Sequence, residues 1–155
     1  MGKKLPDSFG KKRVLNRLFV DCDVEVIRWE VLPVKKDQRI IVRFVSADPE
    51  NRQGIRIAVD AGEGTLTANG VTASNFVLWK DECPEEVEVE CHSGEGYLSI
   101  YNVFEETTWA GPSIRSQMDY SGMILEKSGN IYRYRCNNAR LTQDFDKLVF
   151  EIELV

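Results

Sequence analysis

Apolar and polar residues alternate along much of this chain with a period of two. Ile55-Arg-Ile-Ala-Val-Asp60, Glu86-Val-Glu-Val-Glu-Cys91, Ile131-Tyr-Arg-Tyr-Arg-Cys136 and Leu148-Val-Phe-Glu-Ile-Glu-Leu154 each put one row of side chains toward a core and the other toward water. The apolar members are mostly β-branched or aromatic, which suits a pleated, half-buried surface. Further strands are predicted at 17–29, 40–46, 64–68, 75–79, 97–103 and 122–126. Turn residues fall between them: Asp48-Pro49, Ala61-Gly-Glu-Gly64, Asn69-Gly70, Ser93-Gly-Glu-Gly96, Gly111-Pro112 and Ser128-Gly-Asn130. No stretch carries a helical stripe. Roughly nine or ten short strands with turns every 8–12 residues predict an all-β fold, an antiparallel β-sandwich of jelly-roll type.

A chain of 155 residues makes one domain of this kind. Residues 1–17 carry Lys3, Lys4, Lys11, Lys12, Arg13 and Arg17 against Asp7, and so bear +5, while the rest bears −10. The expectation is a basic, flexible arm over residues 1–16 and a single domain over 17–155. The overall charge of −5 argues against nucleic acid as the main partner. No apolar stretch after Met1 is long enough for a signal peptide or a membrane span, and no Asn begins an Asn-x-Ser/Thr sequon. A cytoplasmic location is expected, with Cys22, Cys83, Cys91 and Cys136 as thiols. Cys83, beside Pro84 in a turn, is the one expected to be exposed and oxidisable.

Catalytic residue types are sparse. His92 is the single histidine and faces away from Cys91 on a straight strand. The cysteines lack zinc spacing, and no nucleophile elbow, metalloprotease helix or Walker loop is present. The two Gly-Glu-Gly segments lack a third glycine and a following helix, so they read as hairpin turns instead of phosphate cradles. Glu86, Glu88 and Glu90 form an outward acidic row, and Arg133 and Arg135 an outward basic one, which predicts that strands 86–92 and 131–136 are neighbours.

Two regions carry candidate binding chemistry. Near the C-terminus, Asn137, Asn138, Asp144 and Asp146 offer hard oxygen ligands from two ends of one loop, a set suited to calcium, with both aspartates on one side of the strand start. Asp144-Phe-Asp146 followed by Leu148-Val-Phe150 resembles the closing strand of uncharacterised bacterial β-sandwich proteins ending in Asp-Phe-(Asn/Asp)-Asp-Leu-Val-Phe, some of them described as calcium binders. That resemblance implies the sandwich and a structural calcium ion, although Lys147 stands where the pattern has its third acid.

The second region is the long segment 104–122, which breaks the regular rhythm and reads as a functional loop, with 113–119 an alternative edge strand. Trp79, Tyr97, Tyr101, Trp109 and Tyr120 include candidates for an aromatic platform, Trp109 first among them because it lies in this loop, with Arg115 and Gln117 as directional hydrogen-bonding groups. The function expected is a non-enzymatic module binding a protein, a small molecule or a carbohydrate, with homo-oligomers open to it. The alternatives are a small enzyme using Glu105, Glu106 or Asp119 around the same loop, and a structural assembly subunit.

Overall fold

The computed structural model describes residues 11–19, 22–60, 63–116, 120–138 and 144–155. They form thirteen strands: β1 (Val14–Leu15), β2 (Ile27–Pro33), β3 (Asp37–Ala47), β4 (Gln53–Val59), β5 (Thr65–Ala68), β6 (Val71–Ala73), β7 (Asn75–Trp79), β8 (Glu86–His92), β9 (Tyr97–Thr108), β10 (Gly111–Ser116), β11 (Gly122–Ser128), β12 (Ile131–Asn137) and β13 (Leu148–Leu154). Every pairing is antiparallel, and the described residues contain no α-helix.

The expected sandwich of nine or ten strands is corrected to one continuous sheet. Eleven strands follow one another in the order β6-β5-β8-β3-β13-β12-β11-β2-β9-β4-β7, with β1 added to β2 and β10 added to β9. β2 is the join. It pairs with β11 through Ile27 and with β9 from Glu30 to Pro33, so what would be two facing layers share a strand. At the far ends of the path β5 lies against β4 and β7, and the sheet is a nearly closed barrel. Alternation assigns a residue to a face and is the same in both architectures, whereas strand order separates them.

The inward rows fill the interior. Ile40 and Val42 of β3, Ile55 and Ile57 of β4, Val87 and Val89 of β8, Leu98 and Ile100 of β9, and Phe150 and Ile152 of β13 are all buried. Tyr134 stacks on Phe150 with ring centroids 5.1 Å apart. The register of β13 on β3 shifts between Val149 and Phe150, so that Val149 faces Ser46 and Phe150 faces Phe44. The extra residue, Val45, is left exposed, and such a bulge sharpens the twist that rolls a sheet.

Two sequence expectations move at the N-terminus. Within the arm expected over 1–16, residues 1–10 lie outside the described residues, but Val14 and Leu15 pair with Trp29 and Ile27. The strand predicted over 17–29 begins only at Ile27. Phe19 and Val26 instead pack with Phe145 in a small cluster of their own, with Phe19 and Phe145 rings 5.5 Å apart.

The acidic and basic rows are not neighbours either. β8 pairs with β3 and β5, so Glu86 meets Arg43 at 2.7 Å and Glu88 meets Arg39 at 2.7 Å. Arg133 and Arg135 instead pair with Glu151 at 2.9 Å and Asp146 at 2.6 Å.

Asp60 follows β4 in the left-handed region, at φ 52°, with its carboxylate buried. Oδ2 accepts the N–H groups of Gly94 (2.7 Å) and Glu95 (3.0 Å), and Oδ1 accepts the Ser93 hydroxyl at 2.7 Å. The turn of the second Gly-Glu-Gly segment is thus an anion-binding curl, and the anion is a side chain of the same protein.

Candidate functional site

The segment expected as a loop over 104–122 is, in its first part, a hairpin. β9 runs past the start of β4, where Gln53 pairs with Phe104, and continues to Thr108. From Val103 onward it pairs with β10, Ser116 opposite Val103 and Gly111 opposite Thr108. The base of the ribbon is tied to the wall, because Glu105 N–H donates to the Arg52 carbonyl (2.9 Å) and Asn51 Nδ2 donates to the Glu105 carbonyl (3.0 Å). At the tip the Thr108 hydroxyl donates to the Gly111 carbonyl at 2.8 Å, and Gly111 takes φ 109°, a conformation that favours glycine. Trp109 sits in this braced turn and is fully exposed; Ile114 on the returning strand is 60% exposed.

A cleft of about 450 Å³ lies at the foot of the hairpin. The β3–β4 loop contributes Glu50 and Asn51, the hairpin contributes Glu106 and Thr107, and the end of β12 contributes Asn137 and Asn138. Lys147, just before β13, completes a described lining in which every side chain is polar. The Lys147 ammonium lies 3.0 Å from Asp48, 3.6 Å from Asp144 and 3.7 Å from Glu50. The hydrogen bond to Asp48, with these neighbouring charges, raises its pKa above the ordinary lysine value despite partial desolvation.

Beneath the cleft is a buried polar layer. Asn102 Nδ2 donates to the Asn137 carbonyl (3.2 Å), Asn137 Nδ2 to the Tyr120 carbonyl (2.9 Å), and the Ser121 hydroxyl to the Asn138 carbonyl. Two carboxamides at this end of the barrel are not satisfied in this way. Asn138 Oδ1 and both amide atoms of Gln53 are buried with no hydrogen-bond partner among the described residues.

The four residues expected to bind calcium do not converge. Asn137 and Asn138 line the cleft, and Asp144 points to Lys147, but Asp146 accepts from Arg135 at 2.6 Å. Asp144 Oδ1 also accepts the Asp146 N–H (3.1 Å), turning the loop on itself. No group of three or more His, Cys, Asp or Glu side chains suited to a metal ion occurs among the described residues. The Lys147 ammonium lies among the carboxylates of Asp48, Glu50 and Asp144.

Of the second set, Trp109 stands alone at the hairpin tip. Arg115, on β10, points to Glu106 with Nε 3.7 Å from its carboxylate. Tyr120 is packing instead of platform, since its ring meets Phe19 edge-on at 5.7 Å. Gln117 and Asp119 lie outside the described residues. Glu105 turns toward Arg52 at 3.8 Å, away from its neighbour Glu106 in the cleft. His92 is on the outer wall with Nδ1 3.1 Å from Asp37, remote in the sheet from the hairpin.

Sequence reasoning missed the contribution of Asp48, Glu50 and Asn51. Asp48-Pro49 reads as a turn, and nothing local joins it to Lys147, 99 residues later. No family model matches the chain, and neither the curated proteins nor the solved structures contain a match to it.

Proposed function

We propose that this protein is a non-enzymatic binding module that recognises a small polar ligand of the carbohydrate or polyol class through Trp109 and the cleft at the foot of its hairpin. The observation that carries this reading is the complete exposure of Trp109 on a turn braced by Thr108 and Gly111. A large apolar ring left wholly in water gains from contact with a ligand, and the turn that presents it is already hydrogen-bonded.

The cleft supplies the complementary polar groups. The pairing of Lys147 with Asp48, Glu50 and Asp144, and of Arg115 with Glu106, offsets much of the local charge, which favours a ligand with hydroxyl groups over a free ion. Asn137 and Asn138 add carboxamide groups to the lining of the cleft.

The test is a glycan array followed by titration of any binder against wild type, Trp109→Ala and Glu106→Gln. Trp109→Ala should weaken binding about tenfold or more, the loss of roughly 1.4 kcal/mol. Its melting temperature should stay close to that of wild type, because exposed substitutions cost within about 0.5 kcal/mol. A binder indifferent to both substitutions, or no binder at all, overturns the proposal.

A further inference from the structure

Glu30 occupies an inward position of β2, where Leu32 two residues on is buried in the core, and its carboxylate is wholly buried. Burying a charge is costly unless every lone pair finds a donor. Here each does. Oε1 accepts from Arg13 Nε (2.8 Å) and the Val31 N–H (3.0 Å), and Oε2 accepts from Arg13 Nη2 (3.1 Å) and the Tyr134 hydroxyl (2.8 Å). Tyr134, itself wholly buried, is held in place by Phe150.

Two of the four donating groups belong to the barrel wall, the Val31 N–H on the same strand as Glu30 and the Tyr134 hydroxyl on β12. Arg13 does not. It comes from the N-terminal segment, precedes a two-residue strand whose register on β2 is irregular, and keeps 38% of its side chain exposed. The carboxylate is therefore reached from solvent along the volume that the Arg13 side chain fills. Two parallel N–H donors on one carboxylate match a planar guanidinium, and an ammonium cannot reproduce that geometry.

We infer that Glu30, Tyr134 and the Val31 backbone form a guanidinium-binding site in the barrel wall, selective against ammonium, which the chain fills with its own Arg13. Residues 11–15 are then a ligand held in cis, and removal of the Arg13 side chain opens the site to a free guanidinium. This assignment is independent of the hairpin and the cleft, and its outcome leaves the Trp109 reading untouched.

The experiment uses full-length Arg13→Gly. Leaving Glu30 buried without its cation should lower the melting temperature by roughly 10 °C. About 10 mM methylguanidinium should restore at least half of that loss, and the same concentration of methylammonium none of it. Glu30→Gln in the Arg13→Gly background should abolish the rescue. Should Arg13→Gly not fold unaided, refolding yield in the two salts makes the same comparison. Recovery by methylguanidinium alone supports the site; equal recovery by both salts, or recovery by neither, overturns it.

Discussion

The ammonium of Lys147 lies 3.6 Å from the carboxylate of Asp144 and reaches Asp48 at 3.0 Å, so a side chain just before β13 joins its own loop to the β3–β4 loop. The arrangement performs with a lysine what a metal ion performs elsewhere, tying two loops through shared carboxylates. Lys147→Asp should remove that tie and add a further negative charge to Asp48, Glu50 and Asp144. Its melting temperature should fall by several degrees at low salt, since breaking a partly buried pair leaves like charges facing each other. Millimolar calcium should return part of the loss in the variant and leave wild type within about 1 °C of its starting value. Equal calcium responses in the two proteins would show that Lys147 does not hold the ion's place.

Asp60 makes a prediction about acid. Burial by itself would raise its pKa, but the Ser93 hydroxyl and the N–H groups of Glu95, Gly94 and Tyr97 outweigh that and hold the carboxyl below its ordinary value. A carboxyl with a lowered folded-state pKa adds stability above its unfolded value, about 3.9, and that contribution disappears as pH falls through the folded value. Asp60→Asn should lower the melting temperature at pH 7, because an amide nitrogen now faces N–H donors, at a cost of about 2–3 kcal/mol. The gap between wild type and Asp60→Asn should narrow steadily as melting is followed from pH 5 down toward pH 2. A gap that is constant across that range would refute the assignment.

The strands were legible because each buries one row of side chains, and a buried row leaves its period in the sequence. The hairpin was legible only in part: its returning strand Gly111–Ser116 overlaps the edge strand offered over 113–119, but the extension of β9 through Glu105, Glu106, Thr107 and Thr108 was not, because there neither face of the ribbon meets a core and alternation has no cause. The architecture failed for a related reason. Glu88 and Arg133 carry complementary charges on outward rows, but a row says nothing about which strand lies beside it, and Arg39 takes Glu88 instead. The candidate site divides in the same way. Trp109, Asn137 and Asn138 stood out locally, whereas the loop of Asp48 to Asn51 comes to them only through the fold.

Gly64, the last glycine of the first Gly-Glu-Gly segment, and Gly94, the first glycine of the second, should respond differently to alanine. A Cβ on Gly64 would stand 2.4 Å from Val59 Cγ1 and 2.7 Å from the His92 carbonyl, both fixed by the wall. A Cβ on Gly94 would meet nothing closer than Asp60 Oδ2 at 4.0 Å. Gly64→Ala should therefore cost about 1–3 kcal/mol by overpacking, while Gly94→Ala should stay within about 0.5 kcal/mol of wild type. Urea denaturation of both variants separates the two cases, and similar costs would mean that the crowding at Gly64 is relieved without strain.

The four thiols should fall into two classes. Cys91 and Cys136 lie on the inward rows of β8 and β12 and are buried. Burial pushes the Cys91 thiol up to about 12 and the Cys136 thiol well above its ordinary value, so thiolate at neutral pH is negligible at both. Cys83, expected to be the exposed and oxidisable one, is half-buried and packed against the core. Desolvation, then the charges of Glu82 and Asp81, raises its pKa as well. Cys22, half-buried like Cys83, packs beside the Phe19 cluster. An aromatic disulfide reagent added to the native protein at pH 8 should modify Cys22 first and Cys83 more slowly. Cys91 and Cys136 should react only at the rate of unfolding, and urea should release them together. Loss of the fast phase in Cys22→Ser identifies the first site, and a fast phase that persists there while vanishing in Cys83→Ser would reverse the order.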